Sequence, residues 1–166
     1  MKNLILMRHS DTSPYGATDF ERKLTEKGVV KAKSMAMKLD SYLEKNRLII
    51  DFIFSSSAIR AKETYEFTTC MLQIEDTPKV ITQSLYMAGL KELKTLFINY
   101  QDEIKNIETL MVIAHNNGIS KIASRLSDTS IYFSTANIAI LSFDEELSWR
   151  KALDFEGNWE LEYFIR

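Results

Sequence analysis

Two histidines, His9 and His115, are the whole imidazole inventory of this chain. Any reaction that needs an imidazole nucleophile or base must use one of them. Each directly follows an apolar run: Leu4-Ile5-Leu6-Met7 leads into Arg8-His9-Ser10-Asp11, and Leu110-Met111-Val112-Ile113-Ala114 leads into His115-Asn116-Asn117-Gly118. A third run, Asp51-Phe52-Ile53-Phe54, ends in Ser55-Ser56-Ser57, with Arg60 shortly after it. Two guanidiniums and two imidazoles around one cleft suit an anion with tetrahedral oxygens, because arginine offers a fixed fork of donors and keeps its charge at any physiological pH. Helix N-termini following the strands would add backbone N–H donors. A neutral imidazole nitrogen beside such a site can attack phosphorus, and water can then hydrolyse the phosphohistidine. The surrounding cations offset the charge of the phosphoryl group in transfer. Such a transfer requires no metal and no other cofactor.

Residues so far apart in sequence meet only if the fold gathers them. Continuous apolar runs that stop at polar residues read as buried central strands. Between them lie helical patterns. Thr25 is an expected N-cap for a helix to about Lys45, with Val29, Ala32, Ala36, Leu39 and Leu43 on one face. Further helices are expected over Ala58–Leu72, Leu90–Tyr100 and from Ile119 to Leu126, with a weak strand at Val80-Ile81. Ala136–Phe143, Trp149–Phe155 and Trp159–Phe164 read as strands, with Gly157-Asn158 as a hairpin tip. Strands alternating with helices imply a three-layer α/β/α sandwich around a mostly parallel sheet. Sites in such sheets form at the carboxyl ends of the strands, where all three polar stretches fall.

The 166 residues are expected to form a single domain, 1–166. Hydrophobic residues make up 45% and charged ones 27%, too apolar for a disordered chain. Lys+Arg 21 against Asp+Glu 23 leaves a net charge of -2, which argues against a nucleic-acid-coating surface. With Cys70 alone, no internal disulfide and no cysteine zinc cluster can be built. The N-terminal apolar run is interrupted by Arg8 and no stretch approaches the length of a bilayer span, so the expected location is cytoplasmic and away from membranes. Met35, Met37, Trp149 and Trp159 are expected in the core.

Leu6-Met7-Arg8-His9-Ser10-Asp11 resembles the R-H-G motif of the histidine phosphatase (phosphoglycerate mutase-like) superfamily. The likeness extends, in the family's order, to Arg22-Lys23-Leu24-Thr25-Glu26-Lys27-Gly28, to Ser55-Ser56-Ser57-Ala58-Ile59-Arg60-Ala61-Lys62-Glu63-Thr64 and to Val112-Ile113-Ala114-His115-Asn116. The short length and Leu85-Tyr86-Met87-Ala88 are most similar to the small branch typified by SixA phosphohistidine phosphatases. The resemblance implies His9 as nucleophile, with Arg8, Arg60 and His115 as the phosphate pocket. Two positions depart from the pattern. Ser10 stands where the family has glycine, and Met87 stands where relatives often carry an acid. Asp11 is the nearest substitute acid, Glu92 a weaker one. An imidazole leaving group would need neither.

Each residue also has a structural alternative. Ser10 donates to phosphate or only completes the turn. Arg22 binds phosphate or ties down the long first loop. Asn116 orients phosphate or caps the following helix. Asp11 is an acid or a turn former. Little room for a lid lies between Cys70 and Leu85, so the expected substrate is a phosphate displayed on a protein, such as a phosphohistidine protein. The alternatives are a small-metabolite phosphatase and a catalytically weak phosphate-binding module.

Overall fold

Leu4, Ile5, Leu6 and Met7 are wholly excluded from solvent, and so are both faces of the strand they form. The computed structural model describes residues 1–144 and 146–166. Its elements run β1 (Lys2–Arg8), α1 (Glu26–Asn46), β2 (Phe52–Ser56), α2 (Ile59–Leu72), β3 (Lys79–Thr82), α3 (Leu90–Asn99), α4 (Gln101–Ile104), β4 (Thr109–Ala114), α5 (Gly118–Ser127), β5 (Ile138–Phe143), α6 (Trp149–Ala152) and β6 (Glu160–Ile165). The six strands form one sheet in the order β3-β2-β4-β1-β5-β6. Pairs β2·β3, β2·β4 and β1·β4 are parallel, and β5 alone runs against the others.

Strand geometry sends successive side chains to opposite faces, and helices cover both. Leu4, Leu6, Phe54, Leu110, Val112 and Leu141 pack with residues of α3, α5 and α6. Ile5, Met7, Ile53, Met111, Ile113 and Ile140 pack under α1 and α2. Each buried side chain of this size contributes about 1.5–3 kcal/mol relative to exposure. The expected three-layer sandwich is the observed architecture.

Helix α1 begins where Thr25, in extended conformation, accepts a hydrogen bond from the Gly28 amide at 3.0 Å. Its buried stripe is Ala32, Met35, Ala36, Leu39 and Leu43. Met37, expected in the core, projects to solvent from the opposite side, 59% exposed. The segment Trp149–Phe155 is not a strand. Ser148 caps the short helix α6 by accepting from Lys151, and Trp149, Ala152 and Leu153 are buried at helical spacing. Trp149 also donates its indole N–H to the Ile107 carbonyl at 2.8 Å. Gly157 therefore sits in a turn that ties back to Arg125, and no hairpin joins 149–155 to 159–164. The partner of β6 is β5. Among the described residues, no helix is long and apolar enough to cross a membrane.

Candidate active site

Parallel pairing in matched register brings the two histidines together. Arg8 lies opposite Ala114 on β4, and Ser55 of β2 lies opposite Ile113 of the same strand. The residues just past those strand ends are therefore neighbours. The His9 and His115 rings lie 5.1 Å apart, and the His115 Nε2 atom is 2.8 Å from the Ser56 hydroxyl. The His9 amide extends the ladder by donating to Ala114 at 3.0 Å.

His9 is held in one orientation by both ring nitrogens. Its Nδ1 lies 2.8 Å from the Ser10 carbonyl, which can only accept, so Nδ1 carries the proton. The Arg60 Nε–H then donates to the Nε2 lone pair at 3.3 Å. Burial pushes His9 down to about 4, and the charges of Arg60, Arg8 and Arg22 act in the same direction against the Ser10 carbonyl. Burial likewise lowers His115 to about 3, helped by His9, Arg60 and Arg8. Both imidazoles are neutral at pH 7.

Arg60 is the second residue of α2 and is 4% exposed. One turn on, the Thr64 hydroxyl donates to the Arg60 carbonyl at 2.7 Å and accepts the Ser10 amide at 3.0 Å. Glu63 accepts the Leu24 amide at 2.7 Å. Helix α2 thus holds the turn after His9 and the far end of the first loop while presenting Arg60. Arg8 donates from Nη1 to the Phe133 carbonyl at 2.8 Å. Two buried side-chain atoms among the described residues lack any partner, Arg8 Nε and His115 Nδ1. Both belong to groups expected to face phosphate.

Two glycines fix the loops around these residues. A Cβ on Gly28 would lie 2.1 Å from the Asp11 carbonyl oxygen, and one on Gly118 would lie 1.8 Å from that of Ala88. The first close approach seats the turn after His9 on α1. The second seats residues 86–89 on the start of α5, directly after His115.

Four of the eight expected site residues face elsewhere. The Ser10 hydroxyl is fully buried and donates to the Gly28 carbonyl at 2.7 Å, away from any substrate. Ser10 is absent from the positive-φ residues, so its backbone does not require glycine. Asp11 accepts from Lys31 at 3.3 Å and from the Thr135 hydroxyl. Burial acts to raise its pKa, but Thr135, Lys31 and Lys27 outweigh it, and the net shift is downward. An ionised, paired carboxylate is a poor proton donor. Arg22 spends its fork on the first loop, reaching Ser13 at 2.7 Å, Thr12 at 2.6 Å and Asp19 at 3.1 Å. Asn116 donates to the Phe133 carbonyl at 3.1 Å and accepts from Ser120. Glu92 accepts the Gly89 amide at 2.8 Å, an end cap for α3 rather than an acid at the site.

Two residues that sequence reasoning did not single out stand in the cleft. Asp19 binds Arg60 through both its carboxylate, 2.8 Å from Nη2, and its backbone carbonyl at Nη1. Tyr86 donates its phenol proton to the same carboxylate at 2.6 Å, and its ring meets His115 edge-on at 5.2 Å. The only sequence signal for Asp19 is its position three residues before Arg22 in a polar loop, a spacing too common to single it out.

No family model matches the sequence. An uncharacterized chloroplastic protein of Arabidopsis thaliana is 29% identical over 99% of this chain and 77% of its own length. The protein histidine phosphatase SixA, solved with tungstate, superposes with a TM-score of 0.76 at 21% identity, covering 98% of this chain and 96% of that one. The chain has the histidine phosphatase fold. A Nakamurella multipartitia protein assigned as SixA gives a TM-score of 0.77 at 22% identity over 99% and 95% of the two chains. In a phosphoglycerate mutase-like sheet of this kind the strand ends that carry His9 and His115 are the place where sites form.

Proposed function

We propose that this protein is a metal-independent phosphatase that uses His9 as its nucleophile, acting on a protein phosphohistidine in the manner of SixA. The observation that carries the reading is the state of His9: a buried neutral imidazole with its proton fixed on Nδ1, and its Nε2 lone pair turned to a guanidinium. That nitrogen attacks phosphorus, the bond from phosphorus to the leaving group breaks, and the Nε2–P bond forms. Water then attacks phosphorus, the Nε2–P bond breaks, and inorganic phosphate departs. Arg60, Arg8 and His115 supply the donors for the phosphoryl oxygens, including the two unpartnered atoms Arg8 Nε and His115 Nδ1.

The leaving group follows from the carboxylates. Asp11 and Asp19 are paired and Glu92 caps a helix, so none of these three carboxyl groups holds a proton for an alkoxide. A phosphohistidine protonated from solvent on its other ring nitrogen leaves as neutral imidazole and needs no such donor. Only residues 73–78 separate α2 from β3, so no lid inserted there encloses a small metabolite. Exposed Tyr15, Met87 and Tyr132 offer apolar surface for a bulky partner, at 83%, 58% and 69% exposure. The purified chain, with chelator present, is expected to dephosphorylate a phosphohistidine protein faster than a chromogenic phosphate ester. His9→Ala should abolish this and Arg60→Ala should cut it by two or more orders of magnitude. Turnover that survives His9→Ala would assign the nucleophile elsewhere, and inactivity of the wild type on both substrates would leave only a phosphate-binding module.

A further inference from the structure

The first loop meets the site as an anion would. Its Asp19 carboxylate occupies Arg60 Nη2 and the Tyr86 hydroxyl, its Asp19 carbonyl occupies Arg60 Nη1, and its Phe20 carbonyl accepts the Ile59 amide at 3.1 Å. Three oxygens of one short segment therefore engage the first N–H of α2 and the arginine that follows it. Helix α2 has no side-chain cap of its own at Ala58, so the segment takes the place of one. The donor set is the kind that holds phosphate: a guanidinium fork, a helix N-terminus and a hydroxyl. The second observation is independent of the loop. Arg60 is 4% exposed, and nearby His115 Nδ1 and Arg8 Nε are buried with no partner at all.

We infer that Tyr86 is a substrate-binding residue, and that phosphate takes over the place of the Asp19 carboxylate between the Tyr86 phenol and the Arg60 guanidinium. This rests on the anion site proposed above and deepens it by adding one donor and one internal competitor. Tyr86 suits the role, since its phenol neighbours Asp19 and Arg60 and its ring packs on both His115 and Phe20. Its hydroxyl is kept protonated above the ordinary tyrosine range, chiefly by the hydrogen bond to Asp19. The Asp19 carboxylate is half exposed on its loop and is held there by side chains alone, Arg60, Tyr86 and Arg22. Its departure exposes the donors that phosphate needs, and the affinity measured for phosphate is reduced by whatever fraction of molecules holds the loop down.

Titration calorimetry with inorganic phosphate tests this on wild type, Asp19→Asn, Tyr86→Phe and the double variant, each checked for an unchanged circular dichroism spectrum. Asp19→Asn should bind phosphate more tightly, by about tenfold, because the amide is a weaker competitor for Arg60. Tyr86→Phe should bind less tightly by a similar factor, and the same loss should recur in the Asp19→Asn background. The sign decides between the two roles of Tyr86. If the phenol only straps Asp19 in place, Tyr86→Phe tightens phosphate binding and is silent once Asp19 is replaced; that result overturns the inference. Weaker phosphate binding by Asp19→Asn would also overturn it, making the carboxylate a support for Arg60. Phosphate bound by none of the four proteins would refute the anion site itself, and with it the phosphatase reading.

Discussion

Histidine protonation is the sharpest expectation of this site, and with only His9 and His115 present it is followed on just two ring signals. The perturbation is acidification. An unfolded histidine titrates near 6.5, whereas His9 in the fold is lowered to about 4 and His115 to about 3. Between those limits the unfolded chain binds protons that the folded chain refuses, so stability rises with pH through the window. The full contribution is present above pH 6.5 and is lost as pH falls from 6.5 towards 4. For His9 the interval from 6.5 to about 4, at about 1.4 kcal/mol per pH unit, amounts to roughly 3 kcal/mol. His9 is the second cause of the His115 depression, so the first proton taken up disfavours the next and the two losses do not simply add. Long-range proton–nitrogen spectra of the labelled protein should show both rings neutral from pH 8 to pH 5, with the His9 proton on Nδ1. Urea midpoints should fall over the same acid range. Adding phosphate should raise both titration points, because a bound anion favours imidazolium. A folded-state titration at pH 6–7 would refute the lowered values, and a His9 proton on Nε2 would remove the lone pair on which the proposed nucleophile depends.

Gly118→Ala should disable the site without touching a charged group: its Cβ would sit 1.8 Å from the Ala88 carbonyl, so residues 86–89 must leave α5, and both the thermal midpoint and turnover should drop. Arg47 and Gln73 end α1 and α2 at φ 55, in the left-handed region that costs residues with a Cβ about 1 kcal/mol; replacing either with glycine should raise the melting temperature by a few degrees at most, read by calorimetry. Asp11→Asn should cost under about 1 kcal/mol through its part-exposed pair with Lys31 and leave the alkaline limb of the pH–rate profile in place; loss of that limb would return the acid role to Asp11.

The strands were legible because apolar runs cut off by polar residues leave few other readings, and the strand-end histidines followed from them. Parallel register then does what no local pattern can, setting His9 beside His115 across more than a hundred residues of chain. The failures have two causes. Trp149–Phe155 has the aromatic content of a strand, yet Ser148 and the spacing of Trp149, Ala152 and Leu153 make it helical. Ser10, Asp11, Arg22 and Asn116 were chosen by type and proximity to the motifs, but each had a nearer partner in Gly28, Lys31, the first loop or Phe133. Side-chain pairing across a loop has no periodicity, so the sequence could nominate these residues without saying which way they point. Asp19 was missed for the same reason, although it holds Arg60 through both its backbone carbonyl and its carboxylate.

What the cleft lacks bears on selectivity as directly as what it holds. Arg8, Arg60, Tyr86 and the neutral His115 imidazole can all answer charge on the non-bridging oxygens of a phosphoryl group. None of the neighbouring carboxylates can answer charge on the departing atom, because Asp11 and Asp19 are both held in the ionised form, Asp19 by the Tyr86 phenol and by Arg60. On the proposed reading, transition-state stabilisation is therefore concentrated on the phosphoryl oxygens and withheld from the leaving group. An alkyl phosphate must then expel a nearly bare alkoxide, while a phosphoramidate protonated from solvent expels a neutral base. If phosphate takes the place of Asp19 as inferred above, the carboxylate on Arg60 adds a second filter, since an incoming group must outcompete an intramolecular anion before it reaches His9. A dianionic phosphoryl group meets that demand better than any singly charged ligand, so phosphate should displace Asp19 where acetate or chloride does not.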